Sequence, residues 1–498
     1  MMETTSMPET TPLAVRPRRI AFFGAGPLPG RGSTQAPGVA NRLWHFVQPA
    51  LAAGHECLVF SLEPQAPERG AGAESAEPDW ADWRDRRWRR LRVNVEDLKK
   101  PERFAKLVER FDPQALVAAG TLQAGAAACA LAGQRPVWVD LFGDPLSEIQ
   151  AKAAILGERF SADEQIHVWS LMLSVLRRAD AFSTVSRRQA DALLGQLALV
   201  GRLDAASAAQ AGPEELLGAR AMIHTMPCAV ESLDFLSARE GFDRAAWLGR
   251  FGLPAEARVA LWSGGFNAWV DAATLVRGAE QALERDERLH LVATGGELPG
   301  YLGRVYEEFL ALARASRHAA RIHPLGWLPL EDAHGWLRAA DVGLMVDRPC
   351  AETRLGARNR LLFFAAARRP VVASRGTEVV ANMAAAGALV DFPSGDAAAM
   401  ARAILALLND AEKSRLVGER SEIYCREHYL FSATTQSFSA FLANPRRVGA
   451  APADGTTGEA STFVARFLDL ERRAAEGEEL RRYRAGRWAR LKGFLRKR

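Results

Sequence analysis

"RRIAFFGAG" at Arg18–Gly26 and "ECLVFSL" at Glu56–Leu62, with a helix-length segment between them, decide how this chain folds. The first is an apolar run closing on glycines. The segment between carries apolar residues at helical spacing from about Val39 to Ala53. Strand, Gly-rich turn, helix and strand in that order make a βαβ unit, whose strands run parallel. Working outward, strand-like runs recur at "ALVAAG" (115–120), "PVWVDLF" (136–142), "AFSTVS" (181–186) and "MIHTMP" (222–227). A second series runs through "RVALWSGG" (258–265), "LHLVATGG" (289–296), "RIHPLGW" (321–327), "DVGLMVD" (341–347), "PVVAS" (370–374) and "ALVDF" (388–392), again with helix-length spacers. Two such series predict an α/β protein of two doubly wound, Rossmann-like domains. The expected divisions are a disordered start (1–17), domains at 18–240 and 241–443, a Pro/Gly-rich linker (444–461) and a basic helical tail (462–498). Ligands of open parallel sheets bind beyond the carboxyl ends of the strands, so the cleft between the domains is the expected working site.

The net charge of +5 suggests a nucleic-acid partner until it is located. Leu480–Arg498 holds nine Lys or Arg and no acid, so residues 1–479 carry −4. In that tail Tyr483, Trp488, Leu491, Phe494 and Leu495 interleave with the bases, which suits an anionic membrane surface. Nucleic acid would use the same charges, but nothing else favours it and none is expected. A solvated tail that binds nothing is the bland alternative.

Cys57, Cys129, Cys228, Cys350 and Cys425 are odd in number, widely spaced and free of any CxxC or Cys/His ligand pattern, which predicts a reducing cytoplasm and no metal. The first residues lack the apolar core of a signal sequence. The uncharged stretch 113–134 is rich in Ala and Gly and reads as strand, loop and buried helix, not as a membrane span. A cytoplasmic protein, peripheral at the inner membrane face if the tail binds there, is the expectation.

Four stretches carry candidate chemistry. "FFGAGPLPGRGSTQAPGVANRLWHF" (22–46) would need GxGxxG and an acid about 20 residues on to bind a dinucleotide. Gly24, Gly26 and Gly30 give GxGxxxG and Glu63 lies too far away, so a long loop facing the cleft is favoured. "WVDLFGDPLSEIQA" (138–151) ends a strand with Asp140 and continues through Asp144 and Glu148; Asp144 serves either a ligand or as a helix N-cap. In "ALWSGGFNAWVD" (260–271), Gly264 and Gly265 let the backbone approach a phosphate. Trp269 either stacks on a base or plugs the interdomain surface, and Asp271 either binds ligand or caps a helix. "AETRLGARNRLLFFAAARRPVVAS" (351–374) is the strongest signal. Arg354, Arg358 and Arg360 gather at a helix start, where the helix dipole disfavours arginine unless an anion compensates. Their guanidinium groups suit a diphosphate and Glu352 suits sugar hydroxyls, with a surface ion cluster as the alternative. On this reading Arg358→Ala should cut turnover far more than stability.

These residues resemble the GT-B glycosyltransferases, in particular the retaining, nucleotide-sugar-dependent family 4, over nearly all of residues 18 to 440. "APGVANRLWHFVQPALAAGHE" (36–56) is similar to that family's Gly-rich loop and helix, and "ADAFSTVSRRQADAL" (179–193) to a strand-helix unit near the end of its first domain. "LWSGGFNAWVDAATLVRGA" (261–279) is similar to a branch with Trp and Asp after the glycine pair. "RRPVVASRGTEVVANMAAAGALVDFPSGDAAAMARAI" (368–404) looks like its most recognisable signature. The resemblance implies a nucleotide-sugar donor in the second domain, held by Gly264, Gly265, Trp269, Asp271, Glu352 and the three arginines, with Thr377 and Glu378 on the nucleotide side. It implies an acceptor, sugar, lipid-linked or another hydroxyl, at Gly38, Arg42, Asp140 and Asp144 of the first. It implies no cofactor beyond the nucleotide-sugar, no metal, and a role in cell-surface polysaccharide or glycolipid synthesis. No catalytic nucleophile is apparent. Many members carry a Glu-x7-Glu pair; Leu355 and Phe363 occupy those places here. A non-catalytic scaffold that binds a nucleotide-sugar is therefore the alternative from another class, and a sugar-nucleotide epimerase ranks last.

Overall fold

The computed structural model describes residues 16–28, 38–63, 88–94, 97, 100–157, 160–202, 222–236, 241–297 and 303–448. The expectations for the first fifteen residues, for loop residues 29–37, for the linker beyond 448 and for the tail lie outside them.

The first series forms β1 (Arg19–Ala25), β2 (Glu56–Leu62), β3 (Trp88–Val93), β4 (Ala115–Ala119), β5 (Val137–Leu141), β6 (Ala181–Thr184) and β7 (Ile223–Thr225). They make one parallel sheet in the order β3-β2-β1-β4-β5-β6-β7. The second forms β8 (Arg258–Ser263), β9 (Leu289–Thr294), β10 (Ile322–Gly326), β11 (Val342–Met345), β12 (Val371–Ser374) and β13 (Val390–Phe392), also parallel, in the order β10-β9-β8-β11-β12-β13. Both sheets are wound outward from their first strand, then back past it. The switch points therefore fall between β1 and β4 and between β8 and β11, where such sheets bind ligands. All residues of β4, β5, β9 and β11 are buried, as expected of central strands covered on both faces by helices.

The helix read from Val39 to Ala53 spans Gly38–Ala52, and 113–134 resolves into β4 and a buried helix, Leu122–Leu131. Strand β3 was not anticipated: "WRRLRV" is an edge strand whose arginines interrupt the apolar run, although Trp88, Leu91 and Val93 are buried. The last helices also differ from the expected division. Helix Gln436–Ala443, placed with the second domain by sequence, packs on the first, where fully buried Phe438 meets Phe46 and Trp138 with ring centres 4.9 and 5.3 Å apart. Arg18 Nη2 donates to Ala443 O at 2.7 Å and the His45 ring meets Thr434 Oγ1 at 2.7 Å, so the segment that follows the second domain returns to the first. Among the described residues no helix is long and apolar enough to cross a membrane.

Candidate active site

The loop after β8 is built for close approach. Gly264 has φ +113°, and its N–H donates to Thr294 O at 2.9 Å. A Cβ on Gly295 (φ +97°) would lie 2.3 Å from Gly264 O, so the turns after β8 and β9 touch backbone to backbone. Over this loop lies Arg360, the first residue of helix Arg360–Ala366. Its guanidinium carbon sits 3.8 Å from the centre of the buried Trp262 ring, and Nη2 donates to Gly265 O at 3.2 Å. Nη1 is buried and has no hydrogen-bond partner among the described residues. Burial pushes the Arg360 pKa down to about 10 against the opposing pull of Asp347, so the side chain stays cationic at neutral pH. A largely desolvated guanidinium with one buried N–H group unpaired among the described residues, beside a glycine turn at a strand's carboxyl end, has the chemistry to take an anion.

Arg358, two residues earlier, is complete. Nε donates to Asp347 at 2.5 Å, and Nη1 and Nη2 reach the two oxygens of Glu352 at 3.0 and 2.8 Å. Ala357 O and Thr353 Oγ1 take its remaining N–H groups, so all five donors are used. Arg358, Glu352 and Asp347 are all buried. Burial would lower the arginine pKa, but Asp347 and Glu352 hold it above its ordinary value; burial raises that of Glu352 despite Arg358. The anion that sequence demanded for Arg358 is thus supplied by the chain itself. Trp269 lies beneath this guanidinium, its ring centre 5.3 Å away. The helix expected at these arginines begins at Arg360, and a separate short helix before it, Ala351–Leu355, carries Arg354 exposed.

The remaining candidates divide between structural work and the domain boundary. Asp271 caps helix Ala272–Leu283 by accepting from Thr274 N at 2.9 Å, and Thr377 caps helix Glu378–Ala385. Asp144 likewise caps Pro145–Leu156 through Ser147 N at 2.8 Å, the bland alternative of the two. Arg42 and Asp140 face each other: they pair at 2.7 and 3.0 Å with side chains 1% and 0% exposed. Arg42 also donates to Met226 O and Pro227 O, and Ser183 Oγ donates to Asp140. The hydrogen bonds of this pair are thus spent within the first domain, where they pin the first helix to the ends of β5, β6 and β7. Gly38 does reach the boundary, because a Cβ there would lie 2.9 Å from Asn359 Nδ2 of the second domain. Glu378, expected beside a nucleotide, accepts from Arg187 N and Arg188 N at 3.1 and 3.2 Å and so caps a helix of the first domain. Arg188 Nη1 to Gly376 O and Ser186 Oγ to Leu355 O, both at 2.6 Å, complete that seam.

A cavity of about 240 Å3 opens along the seam, between Ser186, Thr225 and Cys228 of the first domain and Gly356, Arg358 and Asn382 of the second. Sequence reasoning missed Asp347 as the anchor of Arg358; its position at the end of "DVGLMVD" was the same strand-end signal used for Asp140. Among the described residues no group of three or more His, Cys, Asp or Glu is placed to hold a metal ion.

Two parallel sheets of one winding, closing on a glycine turn and an arginine at a shared cleft, define the GT-B class of fold. Residues 257–410, most of the second domain, match the family described as glycosyl transferases group 1. Solved structures share the fold across the chain. An α,α-trehalose-phosphate synthase (UDP-forming) from Burkholderia vietnamiensis superposes with a TM-score of 0.63 at 13% identity, covering 88% of this chain and 99% of that one. For sucrose-phosphate synthase from Thermosynechococcus elongatus the values are 0.59, 15%, 85% and 98%. For Anabaena HepE in complex with UDP-glucose they are 0.57, 15%, 86% and 99%. No curated protein matches the chain by sequence.

Proposed function

We propose that this protein is a glycosyltransferase that moves a sugar from a nucleotide-diphosphate-sugar to a hydroxyl acceptor, with retention at the anomeric carbon. Arg360 carries the reading: a buried cationic donor without an acceptor, over the Gly264–Gly265 turn, within the segment that matches the group 1 family. In this reading Arg360 Nη1 takes a phosphate oxygen of the donor and the glycine turn admits the diphosphate to backbone distance. Negative charge grows on that diphosphate as the glycosidic bond breaks, and a preorganised guanidinium stabilises it most at that moment. The facing surface of the first domain, entered at Gly38, holds the acceptor, and positioning across the cleft supplies much of the remaining rate. Cell-surface polysaccharide or glycolipid synthesis on a lipid-linked acceptor fits a basic, aromatic tail at the membrane. The structural neighbours named as UDP-forming or solved with UDP-glucose support UDP as the first nucleotide to try.

A second reading, a nucleotide-sugar-binding scaffold without transfer, is favoured by Phe363. It packs edge-on to Phe235 with ring centres 5.8 Å apart, where many family members carry an acid. A melting panel with UDP, GDP, ADP, dTDP and CMP tests binding: a nucleotide at about 100 times its Kd adds about 2.7 kcal/mol to stability. One nucleotide should raise Tm, and with its sugar conjugate and an acceptor free nucleoside diphosphate should appear. Binding without release selects the scaffold; no shift with any nucleotide removes both.

A further inference from the structure

Trp138, Trp262 and Trp336 are fully buried, and among the described residues Trp262 alone of these carries a guanidinium on its face. It is the penultimate residue of β8 and lies in the second domain's core with Ala260 and Ala293; Phe266 packs beside it, ring centres 5.1 Å apart. Arg360 covers the ring at 3.8 Å. At the ring edge Nε1 donates to Gly264 O at 3.0 Å. The Gly264 N–H already donates to Thr294 O, so both polar groups of that residue are held, and with them the plane of the 264–265 peptide. In a trans peptide the N–H points opposite to the carbonyl. Holding Gly264 O on the indole therefore turns the Gly265 N–H to the other side, where no acceptor among the described residues takes it. Gly265 O in turn accepts from Arg360 Nη2 at 3.2 Å, so indole, turn and guanidinium close into one ring of contacts.

We propose that Trp262 is a positioning residue of the donor site: its face holds the Arg360 guanidinium and its N–H holds the Gly264 carbonyl, so that both groups offered to phosphate stand in place before the donor arrives. The inference rests on reading this site as one for a nucleotide-diphosphate-sugar. Filling space alone does not call for tryptophan here. Phe or Leu would also be apolar, but only an indole joins a π face that attracts a cation to an N–H donor at its edge. The face makes up for part of the hydration that burial takes from Arg360 and keeps its plane against the ring, with Nη1 left over for an acceptor. Trp262 touches no substrate in this role and acts only through Arg360 and the turn.

Two substitutions separate its contacts: Trp262→Phe keeps a ring face and loses the N–H, and Trp262→Leu loses both. Each is made in the full chain with Arg360 present and again with Arg360→Ala, and UDP, or whichever nucleotide of the melting panel binds the wild type, is titrated into all six proteins. Kd should rise from wild type to Phe and again from Phe to Leu, about tenfold or more in total. In the Arg360→Ala background the Phe-to-Leu step should shrink to about twofold or less, because the face has nothing left to hold, whereas the wild-type-to-Phe step should persist through the turn. Tm without ligand falls in any variant that loses packing and does not distinguish the roles; the dependence of the Phe-to-Leu step on Arg360 does. Where Trp262→Leu does not fold, Trp262→Met, also without a π face, takes its place. An unchanged Kd in either variant, or a Phe-to-Leu step of equal size with and without Arg360, overturns the proposal. A wild type that binds no nucleotide overturns the reading of the site, and this inference with it.

Discussion

Arg358 and Arg360 are two residues apart in one stretch of sequence and do opposite things. Arg358 has all five donors satisfied by its own domain, at distances of 2.5 to 3.5 Å. Arg360 stacks on Trp262, gives one hydrogen bond to Gly265 O and keeps Nη1 unpartnered. A buried charge that is fully bonded organises the backbone around it, whereas one left short of an acceptor carries a desolvation cost that an anion would relieve. What separates the two is the presence of Asp347 and Glu352 around one and a bare glycine turn beneath the other.

The sharpest way to break this comparison is to remove the saturated member. Arg358→Ala leaves Asp347 and Glu352 buried without their cation, which costs about 3–5 kcal/mol. A large fall in Tm is expected even without ligand, reversing the sequence-based expectation that turnover suffers before stability. An Arg358→Ala protein that melts like wild type would dissolve the distinction. Arg360→Ala comes next. Losing a charged hydrogen bond to phosphate removes about 1.5–3 kcal/mol of nucleotide binding, roughly 10–100-fold in Kd by titration. Tm without ligand should hold or rise, since an unsatisfied buried donor disappears. Glu378→Ala is milder: it uncaps the helix beginning at Arg187 and should cost about 0.5–2 kcal/mol, read as a lower Tm. A nucleotide Kd unchanged in that variant would confine Glu378 to the seam.

Most strands of both sheets were legible because parallel strands buried on two faces read as uninterrupted apolar runs, as at Ala115–Ala119 and Leu289–Thr294, whereas their order came only with the structure. β3 was not, because as an edge strand it tolerates three arginines in six residues. The glycine turn was legible for the same reason that it works, since Gly264 and Gly265 close an apolar run. The roles of the charged residues were not, because a partner can sit anywhere in the chain: Arg42 finds Asp140 98 positions away, and Glu378 finds its helix 191 positions away. Sequence spacing places a charge at a strand end or a helix start, and only the packed structure says whether that charge is already spent.

Arg354 sharpens the comparison from its weak end. It shares the stretch and the charge of the other two, but it is exposed on the short helix Ala351–Leu355. Its field reaches the cleft only through water and is screened over about 8–10 Å at ordinary ionic strength. Arg354→Ala should therefore shift stability by no more than about 0.5 kcal/mol. Any loss of nucleotide affinity should be small at low salt and vanish as salt is added, whereas the Arg360→Ala loss should persist because that guanidinium is buried. Titrating the nucleotide into both variants at low and high salt separates the two. If the Arg354 loss equals the Arg360 loss and survives salt, the phosphate sits over the outer helix and the glycine turn is not its seat.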